Sequence, residues 1–114
     1  MTKDPRIYLD DILESILKIE DYMQGVTEEE FLKNTEKQDA VLRRLLVVGE
    51  AVKNTPTTLR EKYPHVPWRE IAGTRDKLVH EYFDVKMKRV WKFVCEDLPK
   101  LKVDILKIKS DFSQ

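Results

Sequence analysis

Apolar residues recur every three or four positions along most of this chain, and no stretch alternates apolar and polar positions convincingly. The pattern predicts helices and no strands. Leu9, Ile12, Ile16, Ile19 and Met23, with Leu13 and Leu17, form one apolar stripe on a first helix that Gly25 ends. Thr27 with Glu30 three residues on is a capping-box pattern and opens a second helix. Phe31 to Gln38 is polar and reads as a break or an exposed turn. From Ala40 the helical pattern strengthens through Val41, Leu42, Leu45, Leu46, Val48 and Val52, and Thr55-Pro56 closes it. The same dipeptide can cap a short third helix that carries Leu59.

Tyr63-Pro64-His65-Val66-Pro67 cannot be continuous helix, because its two prolines lack N–H donors and clash with the preceding turn. Pro67 suits the first position of the next helix, which holds Trp68, Ile71, Ala72, Leu78, Val79 and Tyr82. Gly73 inside it implies a bend or the close approach of another backbone. Phe83-Asp84 marks a boundary, with Asp84 suited to N-cap the last helix. There Met87, Trp91, Val94, Leu98, Leu101, Ile105, Ile108 and Phe112 trace a heptad-like seam, and Pro99 implies a kink or two abutting helices. The whole predicts one all-α domain over residues 1–114, an up-and-down bundle of four main helices plus a short one.

Composition narrows the class. With 37% charged and 41% hydrophobic residues the chain is globular rather than disordered. No apolar run is long enough to cross a bilayer. Met1-Thr2-Lys3-Asp4-Pro5 lacks the apolar core of a signal peptide, so the expected location is the cytoplasm. Cys95 is the only cysteine, which suits a reducing compartment, and its apolar neighbour Val94 suggests a buried small hydrophobe. Two histidines and one cysteine are too few for a structural zinc site, and no cofactor is expected. Net charge is zero, but residues 1–40 hold 5 Lys/Arg against 11 Asp/Glu, while residues 41–114 hold 16 against 10. The second part can present a basic surface to a phosphate backbone, although such charges are more often solvated helix faces.

The most informative segment is Gly73-Thr74-Arg75-Asp76-Lys77-Leu78-Val79-His80-Glu81-Tyr82-Phe83. Asp76 and His80 are i,i+4 neighbours, so the carboxylate can accept from an imidazole nitrogen and fix the tautomer. Arg75 and Tyr82 share a face two turns apart. Arg75 and His80 are five apart, about 140° on a straight helix, and do not converge on one phosphate by themselves. A bend near Gly73, or a second copy of the helix across a two-fold axis, would bring them together. The chemistry these side chains suit is phosphodiester transesterification of RNA. The 2′-hydroxyl is the nucleophile, histidine supplies a base or acid, and arginine supplies a cation for the developing phosphorane charge, with no metal required. Tyr82 can bond a phosphate oxygen or stack on a base. The competing reading is a surface helix with an Asp76–His80 pair and a solvated Arg75. A second match of the same spacing, Arg60 to His65, spans Pro64 and reads as a loop.

Wider context carries a family resemblance. Arg43-Arg44-Leu45-Leu46-Val47-Val48-Gly49-Glu50-Ala51-Val52, Val66-Pro67-Trp68-Arg69-Glu70-Ile71-Ala72-Gly73 and Arg75-x4-His80-x-Tyr82 occur in that order, followed by Val90-Trp91 and Leu98-Pro99-Lys100-Leu101. Over nearly its whole length the chain resembles the HEPN superfamily and, within it, the HepT-like toxins. The resemblance implies a helical bundle that dimerises, and an RNase whose Arg-x4-6-His residues, here Arg75 and His80, meet at the dimer cleft. It also implies a minimal nucleotidyltransferase antitoxin as partner, which transfers AMP from ATP to the motif tyrosine, here Tyr82. An AMP group there would add negative charge and bulk beside Arg75. Asp76 departs from the asparagine frequent in the family; an acid there can orient His80 but sits unfavourably near a phosphate.

Arg43 and Glu50 are seven apart on one face and follow the family's Arg…Gly-Glu-Ala pattern. Glu50 can brace Arg75 or a partner-chain group, or belong to an ordinary ion pair, and Gly49 suits close helix packing. Trp68 and Trp91 read as core or interface anchors. The expected activity is thus a toxin-type endoribonuclease. The rivals are a catalytically silent HEPN module that binds a nucleotide or a protein, and a plain helical interaction subunit.

Overall fold

Asp4 begins the first helix: its carboxylate accepts from the Arg6 backbone N–H at 3.0 Å, and Pro5 occupies the first turn, where no N–H is needed. The computed structural model describes residues 4–113. Helix α1 runs Pro5–Met23, and Gly25, at φ +72, turns the chain after it. Short α2 (Glu28–Lys33) is capped by Thr27, which accepts from Glu30 N–H. Asn34 then caps α3 (Thr35–Asn54), so the polar stretch after Phe31 is one non-helical residue between two helices. Short α4 is Thr57–Lys62 and α5 is Trp68–His80. A single 3-10 turn, Tyr82–Asp84, leads to α6 (Met87–Lys92). A π-helical segment, Phe93–Asp97, joins α6 to α7 (Leu98–Phe112) with right-handed helical dihedrals at both junctions.

The fold is all-α, and among the described residues there is no strand. Its four long elements are α1, α3, α5 and the rod Met87–Phe112. Lys37 Nζ donates to the Tyr22 carbonyl at 2.8 Å and Arg44 reaches Ser15 at 3.5 Å, so α1 and α3 run antiparallel. Lys102 pairs with Glu20 and Lys109 with Asp10, so α7 lies antiparallel along the other side of α1. Leu9, Ile12, Ile16 and Ile19 of α1 meet Val41, Leu45, Val48 and Val52 of α3 and Leu101, Ile105 and Ile108 of α7 in the core. Each such side chain removes roughly 1.5–3 kcal/mol worth of apolar surface from water. No helix among the described residues is long and apolar enough to cross a membrane.

Four local expectations are corrected. Leu17 is exposed, because it falls outside the stripe that faces α3 and α7. Cys95 is exposed on the π segment, although partial desolvation still pushes its thiol pKa up. Asp84 does not cap the last helix; it lies in the 3-10 turn, and α6 begins after Lys86. The heptad-like seam is fully buried only from Leu98 to Ile108; Met87, Trp91 and Val94 pack against the core partly buried, and Phe112 is exposed. The wider π turn rotates the buried face, so that Val90 rather than Met87 is the buried residue of α6. Pro99 follows that turn directly. A proline withholds an N–H from the residue four back, here Cys95, and the π geometry absorbs the disturbance within one rod.

Candidate active site

Helix α5 carries the segment singled out above. Trp68 anchors its start, buried, with the indole N–H donating to the Tyr63 carbonyl at 3.0 Å. Ile71 and Leu78 bury one side of the helix. It runs unbroken through Gly73, where an added Cβ would meet nothing within 4 Å, so no backbone approaches there. The close approach is at Gly49 of α3, where a Cβ would stand 2.4 Å from Arg75 Cβ and 3.0 Å from its backbone nitrogen. Only glycine at 49 lets α5 lie this near α3, and the contact falls on Arg75 itself.

That contact fixes the arginine. Arg75 Nε pairs with Glu50 Oε2 at 2.7 Å, and Nη1 donates to Asp76 Oδ1 at 3.1 Å. Lys53 Nζ, one turn beyond Glu50 on α3, donates to the same Asp76 oxygen at 3.2 Å. The Lys53 ammonium first, and the Arg75 guanidinium second, hold the Asp76 carboxyl below its usual value of 3.8. Two acids and two bases thus alternate along the α3–α5 seam. Arg75 remains 27% exposed in its side chain, enough to offer a guanidinium edge to a ligand. Its outer side faces a groove of about 430 Å³ lined by Arg43, Glu50, Tyr8 and Asp11.

His80 is the last residue of α5 and is exposed. The expected Asp76–His80 hydrogen bond is absent among the described residues. Asp76 turns to Lys53 and Arg75, because bonds to two cations outcompete one to an imidazole. No hydrogen bond or ion pair among the described residues joins Arg75 to His80. The structure therefore brings together Arg75, Glu50, Asp76 and Arg43, and leaves His80 and Tyr82 outside that group. Tyr82 is 48% exposed and packs edge-on against Phe83, ring centroids 5.7 Å apart at 89°. Phe83 is 98% exposed, and Val79 stands 45% exposed beside His80.

The periodic pattern missed Lys53 and Phe83. Lys53 follows Glu50 by three and so shares its face, a signal legible once α3 is known to lie against α5. Phe83 read only as a boundary. No three His, Cys, Asp or Glu side chains gather into a cluster that could hold a metal, among the described residues.

A helical bundle whose third long helix ends in Arg75-x4-His80, with Tyr82 in the turn after it, fits the HEPN superfamily, and the comparisons agree on the family. The family described as ribonuclease HepT-like matches residues 12–108, and the chain belongs to it. It is 42% identical to a Thermococcus cleftensis protein named "Probable ribonuclease HepT", over 96% of this chain and 99% of that one. It is 42% identical to a "Putative RNase" of Caldanaerobacter subterraneus, over 93% and 95% of the two chains. It is 48% identical along its whole length to a "Gamma-glutamylcyclotransferase and putative RNase" of Methanocaldococcus jannaschii, and spans about half, 51%, of that protein. No solved structure gives a significant match.

Proposed function

We propose that this protein is an endoribonuclease of toxin type, working as a homodimer in which Arg75 and His80 of two copies complete one cleft. The observation that carries the reading is the separation of the two groups within one chain. Arg75 is pinned against Gly49 by Glu50 and Asp76, while His80 stands bare at the end of the same helix. A bare histidine beside the exposed apolar side chains of Val79 and Phe83 suits a surface that a second copy covers.

In the proposed reaction the RNA 2′-hydroxyl oxygen attacks the adjacent phosphorus and its proton passes to His80. The bond to the 5′-oxygen breaks and that oxygen takes up a proton, leaving a 2′,3′-cyclic phosphate and a 5′-hydroxyl end. In the proposed dimer the second copy of His80 supplies that proton. Arg75 holds the nonbridging oxygens, on which charge grows in the transition state. Glu50 and Asp76 keep the guanidinium oriented, and Arg43 adds positive charge to the groove. Nothing in these steps calls on a metal.

The likeness to HepT-type RNases extends the proposal to regulation. A minimal nucleotidyltransferase antitoxin would move AMP from ATP to the Tyr82 hydroxyl, releasing pyrophosphate. Tyr82 is exposed enough to be reached, and the added phosphate would repel RNA near Arg75.

The test is cleavage of total cellular RNA in excess EDTA by wild type and by His80→Ala, both made without a partner and checked by mass spectrometry for AMP on Tyr82. Cleavage by wild type alone supports the reading. No cleavage by unmodified wild type contradicts it and leaves a HEPN module that only binds.

A further inference from the structure

A second depression, of about 510 Å³, lies between α5 and α6, with Leu45 of α3 also in its lining. Leu78, Val85, Val90 and Phe93 make its apolar lining. Lys77, Lys86, Arg89 and Lys92 stand around it, against a single acid, Asp97. These four cations form no ion pair among the described residues. Elsewhere on the molecule Lys18, Lys33, Lys53, Lys102, Lys107 and Lys109 each meet a carboxylate. Four cations without a carboxylate partner against one acid give the depression a local excess of positive charge. Three of the four, Lys86, Arg89 and Lys92, come from the N-cap and body of α6, just beyond the motif.

Its position relative to the motif follows from helix geometry. Thr74, Lys77 and Leu78 share one side of α5, and Lys77 is an i,i+3 neighbour of His80. Lys77, at the edge of the depression, thus stands about 60° round the helix from His80, and neither His80 nor the pinned arginine lines the depression itself. Four cations around an apolar floor match a ligand with repeated negative charge and flat apolar faces. Single-stranded RNA has both, with phosphates at regular spacing and bases free to lie on Phe93 and Val85. A duplex offers the phosphates but keeps its base faces stacked inside.

We infer that the α5–α6 depression is a strand-anchoring subsite. It holds a nucleotide of single-stranded RNA flanking the bond presented to His80, with Lys77, Lys86, Arg89 and Lys92 on phosphates and a base on the apolar floor. The inference rests on the ribonuclease reading for the role of His80, but the binding it asserts does not require cleavage.

The probe is a short fluorescein-labelled 2′-O-methyl oligouridylate, whose blocked 2′-oxygen prevents cleavage, followed by fluorescence anisotropy across a salt series. Wild type is compared with Lys86→Ala/Arg89→Ala and with a control that removes two distant lysines, Lys18→Ala/Lys33→Ala. All four changes are at exposed positions, and circular dichroism checks the fold. The depression variant is expected to bind about tenfold more weakly, with its log–log salt slope reduced by about 1.4, since each phosphate contact to a single strand contributes about 0.7. The control should match wild type. An abasic strand of equal phosphate count should bind wild type more weakly than the uridylate. Equal binding by variant and wild type, equal binding of abasic and uridylate strands, or no binding by wild type would each overturn the assignment. The last would leave the depression to an acidic protein surface. Parallel cleavage assays on unmodified RNA separate this failure from that of the nuclease reading. Variants that bind and cleave like wild type sink the subsite alone, whereas depression-dependent binding without any cleavage sinks the nuclease alone.

Discussion

The two ends of the Arg75–His80 motif sit in opposite surroundings. At Arg75 every neighbour is built in: Gly49 admits the helix, Glu50 and Asp76 hold the guanidinium, and Lys53 balances the second acid. At His80, five residues on, the helix ends and the side chains stand in solvent, with Phe83 almost wholly exposed. An electrostatic clamp costs little reorganisation at the moment of reaction when it is prebuilt. A proton-transferring group needs only the right reach, and its surroundings can be completed by another molecule. On the proposed reading, the difference means that this chain carries half of a site in finished form and offers the other half for completion by a second copy.

The largest way to break the comparison is at the bare end. His80→Ala should lower RNA cleavage by at least about 100-fold, the ordinary worth of a general acid or base. Urea unfolding should stay within about 0.5 kcal/mol of wild type, because the side chain is solvated. A large loss of stability would show that His80 is structural after all. Gly49→Ala attacks the finished end instead. Its methyl would meet Arg75 Cβ and backbone, neither of which can swing aside, so unfolding should be easier by about 1–3 kcal/mol. Cleavage should fall with it as α5 shifts, and an unchanged protein by both measures would mean the helices slide apart freely.

Glu50→Gln is gentler. It keeps shape and removes the negative charge that faces Arg75 Nε, so kcat for RNA cleavage should drop several-fold, on the order of 1 kcal/mol in the barrier. KM should change little, and a pure KM effect would reassign Glu50 to RNA binding. The smallest effect concerns acid. The folded-state pKa of Asp76 lies below 3.8, so its pairing with Lys53 and Arg75 contributes stability above that value and loses it as pH falls through the depressed one. Urea midpoints compared between pH 6 and pH 2.5 should therefore decline slightly more for wild type than for Asp76→Asn. Parallel declines would show that the pairing carries no linkage.

Much of this architecture was legible before any coordinates. The stripes through Ile12, Ile16 and Ile19 and through Leu101, Ile105 and Ile108 are periodic because they face a continuous core. The Thr27 cap and the break before Trp68 follow from local chemistry that tertiary packing did not override. The π turn at Phe93–Asp97 was not legible, because one extra residue in a turn leaves the spacing on either side intact and only rotates the faces. That rotation goes with Met87 packing against the core only partly buried, while Val90 is buried. At the site, the Glu50–Arg75 pairing was within reach from Gly49 and helical spacing. Asp76 was assigned to His80 because i,i+4 geometry is visible in one helix, whereas Lys53 lies on another and enters only when α3 and α5 pack. Exposure at Phe83 could not be read either, since an aromatic residue at a helix boundary is as often tucked in as turned out.

The most direct test of the central claim, that the site is finished only by a second copy, is specific RNA-cleaving activity as a function of protein concentration, with mass measured in parallel by sedimentation. The account predicts that activity per chain rises with the fraction of dimer, and that Phe83→Ser lowers both together while the helical fold persists. Full activity per chain from a species that sediments as a monomer would contradict it.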